Sequence, residues 1–130
     1  AAALGSNAFQ YGLGAIHAMS HPVRAVFNTH HGTTNAVCMP AVLALNAPMI
    51  RDRFERATPY LGIEGGFDGF CEFVQAFNDS FAIPRRLSEM GVTGERVDDL
   101  VAMALEDPSC GGNPVPLTAD NLRELFEASI

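Results

Sequence analysis

Lysine and tryptophan are absent from these 130 residues, and all eight cations are arginine. They stand against fifteen carboxylates, for a net charge of −7. A nucleic-acid-binding domain needs a basic face, and anionic lipid attracts clusters of Lys and Arg. The chain supplies neither, so neither a nucleic acid nor a membrane is expected as a partner. Acidic residues are missing altogether from the first fifty positions, where Arg24 is the only formal charge. Cysteine is scarce: Cys38, Cys71 and Cys110 form no CxxC pair. That excludes a disulfide framework and a cysteine zinc site, and it points to a reducing, cytoplasmic setting. Cys38 reads as core packing. There is no alternating β run, no internal repeat and no low-complexity segment. A secretory leader or membrane span does not fit residues 1–20, which have no basic opening and are interrupted by Ser6, Asn7, Gln10 and His17. No GxGxxG phosphate loop is present, because Gly12-x-Gly14 lacks the third glycine and a preceding strand.

What is there is helical. The length suits one domain, residues 1–130. An apolar share of 48% against 18% charged excludes disorder. The periodicity predicts an all-α bundle of about six to seven helices. Residues 1–27 read as helix, broken near Gly12–Gly14, with a kink or a new first turn at Pro22. Asn28–Gly32 reads as a loop. Helix resumes over 33–46 with a bend at Pro40, and Asn46-Ala47-Pro48 reads as a break. Met49–Tyr60 is amphipathic, with Met49, Ile50, Phe54 and Ala57 inward. Phe67, Phe70, Phe73, Val74, Phe77 and Phe81 form a stripe expected to be core. Arg96–Leu105 turns Val97, Leu100, Val101, Ala104 and Leu105 inward. Residues 107–117 (DPSCGGNPVPL) read as a loop, and Thr118 as the N-cap of a last helix carrying Leu122, Leu125, Phe126 and Ile130.

All four histidines, His17, His21, His30 and His31, lie in the nearly uncharged first fifty residues. His17 and His21 are one helical turn apart and share a face. Neutral imidazole serves both as metal ligand and as proton shuttle. Spacing alone selects His17 and His21 as a chelating pair. A HExxH zinc motif is excluded, since Ala18 follows His17 and no carboxylate precedes position 52. The bland alternative is that these histidines cap helices or satisfy core polar groups.

Residues 12–22 (GLGAIHAMSHP), followed by 31–36 (HGTTNA) and by Met39-Pro40, resemble the C-terminal signature of the iron-containing (group III) alcohol dehydrogenases. Gly111-Gly112-Asn113-Pro114 is similar to that family's C-terminal loop, so the resemblance runs through the whole chain. It implies the C-terminal part of the dehydroquinate-synthase-like helical domain of a two-domain enzyme. In such enzymes an N-terminal α/β domain binds NAD or NADP, and the helical domain holds Fe(II), sometimes Zn(II). It further implies His17 and His31 as metal ligands, in place of the pair chosen by spacing. It makes His21 a proton relay beside the nicotinamide, and Leu13, Phe9 and Ser109 substrate-pocket residues. His30 is then a supporting or surface residue. Arg24 stands where the family usually has a small residue. Facing the pocket it would pair with an acidic substrate; a surface salt bridge is the preferred reading.

The family's Asp ligand, another of its His ligands and the nucleotide-binding domain have no counterpart here. The chain begins with Ala1 and opens on fifty residues with one charge, and both facts suggest a fragment or a processed chain. The expected function is therefore part of a metal-dependent NAD(P)-linked alcohol dehydrogenase or aldehyde reductase, inactive as 130 residues. The alternative is a stand-alone, non-catalytic helical binding or structural module. The exposed apolar surface of residues 1–50 is expected to drive homo-oligomerisation.

Overall fold

Two glycines, Gly12 and Gly14, separate the first helices. Gly12 has φ +91°, in the left-handed region that favours glycine. In the computed structural model, which describes residues 2–130, α1 spans Ala2–Phe9 and α2 spans Ala15–Phe27. α2 ends on Asn28, left-handed at φ 54°. α3 runs from His31 to Leu61, α4 from Gly66 to Ser80, α5 from Val97 to Glu106 and α6 from Ala119 to Ser129. Short 3-10 turns cover Leu87–Met90, Gly94–Arg96 and Pro108–Gly112. Six α-helices and no strand occur among the described residues, as the periodicity predicts.

The break expected at Asn46-Ala47-Pro48 does not occur, and α3 is continuous through Pro40, Pro48 and Pro59. A proline inside a helix leaves the carbonyl four residues earlier without its N–H partner. At Pro40 that carbonyl is Ala36, and the Asn78 side chain of α4 donates to it through Nδ2 at 3.1 Å. Likewise Pro22 sits within α2 without starting a new helix. α3 begins two residues earlier than expected because His30 caps it, its Nδ1 accepting from the Thr33 N–H at 3.3 Å. The Thr118 cap is present, with Oγ1 accepting from the Asn121 N–H while the Asn121 Oδ1 accepts from the Thr118 N–H.

The core lies between α2, α3, α5 and α6. Met19 and Val23, Val37 and Val42, Leu100 and Val101, and Leu122 and Phe126 interlock there, joined by Leu87 and Val92. Burying each large side chain stabilises the bundle by about 1.5–3 kcal/mol. Cys38 is fully buried among them, as expected of a packing residue, and desolvation pushes its thiol up to about 12. Helix α4 packs chiefly against α3. Consequently the expected phenylalanine core is half realised: Phe67 and Val74 are buried, but Phe73, Phe77 and Phe81 are exposed. Those three, four residues apart, form a neighbouring stripe of rings with centroids 5.8 and 5.0 Å apart. Met49 and Leu105, expected inward, are also exposed, and so is all of α1. By length and composition alone α3 is long and apolar enough to cross a membrane. In this fold α2, α4 and α6 pack against it.

Candidate functional site

The helix start at Ala15 and the cap at His30 together set the site. The first points His17 and His21 off one face of α2, and the second puts His31 at the first residue of α3. The three imidazoles meet as a triangle, with centroids 5.7 Å (His17–His21), 5.3 Å (His17–His31) and 5.3 Å (His21–His31) apart. The His21 and His31 rings are nearly parallel, at 15°.

One turn further along α3, the Asn35 amide reaches between two of them. Its Nδ2 lies 3.2 Å from His31 Nε2 and 3.5 Å from His17 Nε2. Both Nε2 atoms therefore converge on the same amide nitrogen. On the far side of His31, Nδ1 is 3.4 Å from the Ser20 hydroxyl, which is itself 3.4 Å from the His17 carbonyl. Burial is the main cause that lowers the pKa of both rings below the ordinary histidine value. Neighbouring cationic groups add to this, His31 and His21 acting on His17 against an opposing pull from Asp107, and His21, the Arg24 guanidinium and His30 acting on His31. A lowered pKa favours the neutral ring, the form able to bind a metal. The Asn35 Oδ1 is buried without a hydrogen-bond partner.

His21 is engaged differently. Its Nδ1 meets Asp107 Oδ2 at 2.7 Å, leaving Nε2 on the open side. The histidine side chain is 42% exposed and the carboxylate 12%. Burial works to raise the Asp107 carboxyl, but hydrogen bonds from His21 and Ser109 outweigh it and hold it below the usual carboxylate value. Asp107 also caps the following 3-10 turn, its Oδ1 accepting from the Ser109 N–H at 2.8 Å.

The turn that carries Ser109 is pinned against the start of α2. The Asn113 Oδ1 accepts from the Ala15 N–H at 3.1 Å. A Cβ on Gly112 would stand 1.9 Å from the Leu13 carbonyl oxygen, and one on Gly14 would stand 2.9 Å from Asn113 Oδ1. Two glycines thus let the loops close, which brings half-buried Leu13 and Ser109 to the same end of α2 as the histidines. Phe9 is 62% exposed on α1, where nothing is buried, so the structure does not gather it in. His30 caps a helix. Arg24 makes no ion pair among the described residues, against the preferred surface salt bridge.

Two neutral imidazoles with converging Nε2 atoms fit a first-row divalent cation. No group of three His, Cys, Asp or Glu in a metal-holding arrangement occurs among the described residues. These two donors could supply only part of a coordination sphere.

A model of the Fe-containing alcohol dehydrogenase family, C-terminal, matches residues 1–130. The chain belongs to this family. It is 33% identical over 125 residues to lactaldehyde reductase of Escherichia coli (strain K12), covering 91% of this chain and 33% of that enzyme. It is 36% identical over 135 residues to 4-hydroxybutyrate dehydrogenase of Cupriavidus necator, covering 97% of this chain and 35% of that enzyme. Its fold is also that of a 1,3-propanediol oxidoreductase crystal structure, with TM-score 0.84 at 24% identity over 91% of this chain and 33% of that one. The chain therefore spans about a third of the length of the iron-family relatives it matches.

Sequence reasoning passed over Asp107, Ser20 and Asn35. Asp107 lies 86 residues from its partner His21. Its only local signal is its place before Pro108 and Ser109, where a capping carboxylate is common. Ser20 and Asn35 lie within the family signature, one turn from the histidines they contact.

Proposed function

We propose that this chain is the metal-holding helical part of a longer NAD(P)-linked alcohol dehydrogenase or aldehyde reductase. The reaction is hydride transfer between a primary or secondary alcohol and nicotinamide. The convergence of His17, His21 and His31, with Asp107 behind His21, carries this reading on a chain of the iron family.

His17 and His31 would hold the cation through Nε2, and the Ser20 hydroxyl at Nδ1 steadies the His31 ring. A divalent cation, Fe(II) or alternatively Zn(II), supplies Lewis-acid polarisation of the substrate oxygen when bound. His21 handles the proton. Asp107 fixes its Nδ1 side, so Nε2 gives or takes the proton at the substrate oxygen and exchanges it with water on its exposed edge. In the same reading His21 would lie beside the nicotinamide, which supplies or takes the hydride when bound. Leu13 and Ser109 border the substrate. NAD or NADP is held mainly by sequence outside these residues.

A cytoplasmic setting belongs to the same reading, and three free cysteines support it. Its surface favours self-association, because α1 and the segment after it expose Leu4, Phe9 and Tyr11. No nucleic acid or membrane partner is proposed.

Anaerobic assay of the full-length polypeptide tests the function. Loaded with Fe(II) and given NAD(P)H, it should reduce short-chain aldehydes, while the 130-residue chain alone does not. A metal-loaded full-length protein without nicotinamide-dependent turnover would overturn the reading.

A further inference from the structure

Arg24 is the only charged side chain in residues 1–50. It is exposed at the last turn of α2, and no ion pair engages it among the described residues. Arg51, Arg85, Arg96 and Arg123 each have a carboxylate partner; Arg53, Arg56 and Arg86 have none among the described residues, but they lie in the charge-rich part of the chain, away from the histidines in sequence. Positions 17, 21 and 24 are spaced by four and then three residues, which places them in one stripe of the helix. Arg24 therefore continues the histidine face. Its Cα lies about 4.5 Å further along the axis than that of His21, and about 10 Å further than that of His17. Asp107, the carboxylate bonded to the cluster, is already occupied by His21 and Ser109. An uncompensated guanidinium beside a proton-handling site, in a chain of net charge −7, invites an anion from outside.

We propose that Arg24 is a specificity-determining residue whose guanidinium binds the carboxylate of the substrate, a short oxo- or hydroxy-acid with its reacting carbon at the histidine triangle. The proposal rests on the hydride-transfer reading above. A planar guanidinium pairs with a carboxylate through two parallel hydrogen bonds, fixing both distance and orientation. A few methylene groups between carboxylate and carbonyl span the interval from Arg24 to the histidines. The fit thus selects chain length as well as charge.

The test uses the full-length metal-loaded enzyme and two aldehydes of equal length, 4-oxobutanoate and butanal. Arg24→Gln should raise the KM for 4-oxobutanoate about 10- to 100-fold, the size expected for a lost charge-assisted hydrogen bond. Butanal and the nicotinamide cofactor should keep their KM, and Arg24→Lys should recover part of the loss. An equal change for both aldehydes, or no change, overturns the proposal. A rise confined to the cofactor KM also overturns it and assigns the guanidinium to a nucleotide phosphate. Calorimetric titration with butyrate gives a readout free of turnover, with weaker binding to Arg24→Gln expected. If neither aldehyde is reduced, the hydride-transfer reading fails by itself. Butyrate binding then decides on Arg24: equal affinity for wild type and Arg24→Gln overturns its role.

Discussion

The side chains of Asn46 and Asn113 hydrogen-bond to each other in both directions, Nδ2 to Oδ1, at 3.0 and 2.8 Å. Asn46 is buried in the middle of α3, and Asn113 lies in the loop before α6. The same two amides also take the Ala15 and Val115 N–H groups and donate to the Val115 carbonyl. One paired amide thus ties together the start of the histidine helix, the long helix and the loop after Ser109. Asn46→Ala or Asn113→Ala leaves the partner amide unsatisfied, at a cost of about 1–3 kcal/mol each. Chemical denaturation of the full-length protein checks this. The double variant should lose less than the two single losses combined, since they share one interaction.

The close approach of Gly112 to the Leu13 carbonyl gives a sharper contrast with its neighbour. Nothing lies within 4 Å of a Cβ built on Gly111, whereas Gly112 has the Leu13 oxygen in the way. Gly112→Ala should destabilise by about 1–3 kcal/mol, the usual result of forcing atoms into filled space. Gly111→Ala should leave the thermal midpoint nearly unchanged.

Stability of the metal-free protein should fall in mild acid. His17 and His31 have folded pKa values below 6.5, so between those values and 6.5 the unfolded chain binds more protons than the folded one. Unfolding free energy then rises with pH across that window. Their contribution is complete above about pH 6.5 and is lost as the pH drops towards the folded values. Denaturant midpoints measured in chelator on either side of the window should show the slope. His17→Gln and His31→Gln should each flatten it.

The Asp107 contact with His21 predicts a kinetic signature. Asp107→Asn keeps the shape but loses the charge and the tautomer preference, and should lower kcat about 10²- to 10⁴-fold with little effect on KM. His21→Gln should fall in the same range. The double variant should be no worse than either single one, because the two residues act as a unit. Steady-state kinetics of the four proteins decides the point.

The helix stripes, the Gly12–Gly14 break and the Thr118 cap were legible because each is a local event read from neighbours in sequence. The gathering of His17, His21 and His31 followed from a helical turn plus the resemblance; spacing alone had paired His17 with His21. What escaped was set by tertiary contact. The helix passes Pro40 because an asparagine on another helix completes its backbone, and nothing near Pro40 announces Asn78. Phe73, Phe77 and Phe81 share helical spacing with Phe67, yet α4 packs chiefly against α3, so apolar pattern overstates burial. Asp107 reads as a turn residue until the fold brings its free oxygen to His21.

Pro40 carries a consequence of its own. By lacking an N–H it leaves the Ala36 carbonyl to Asn78, and Ala36 directly follows Asn35, whose amide sits between the two converging imidazoles. The outer helix therefore completes the backbone of the turn that carries Asn35. Without that contact the carbonyl next to Asn35 would lack a partner, in the helical turn whose side-chain amide lies between the His17 and His31 nitrogens. The solvent-facing aromatic helix and the histidine site are wired through one missing hydrogen.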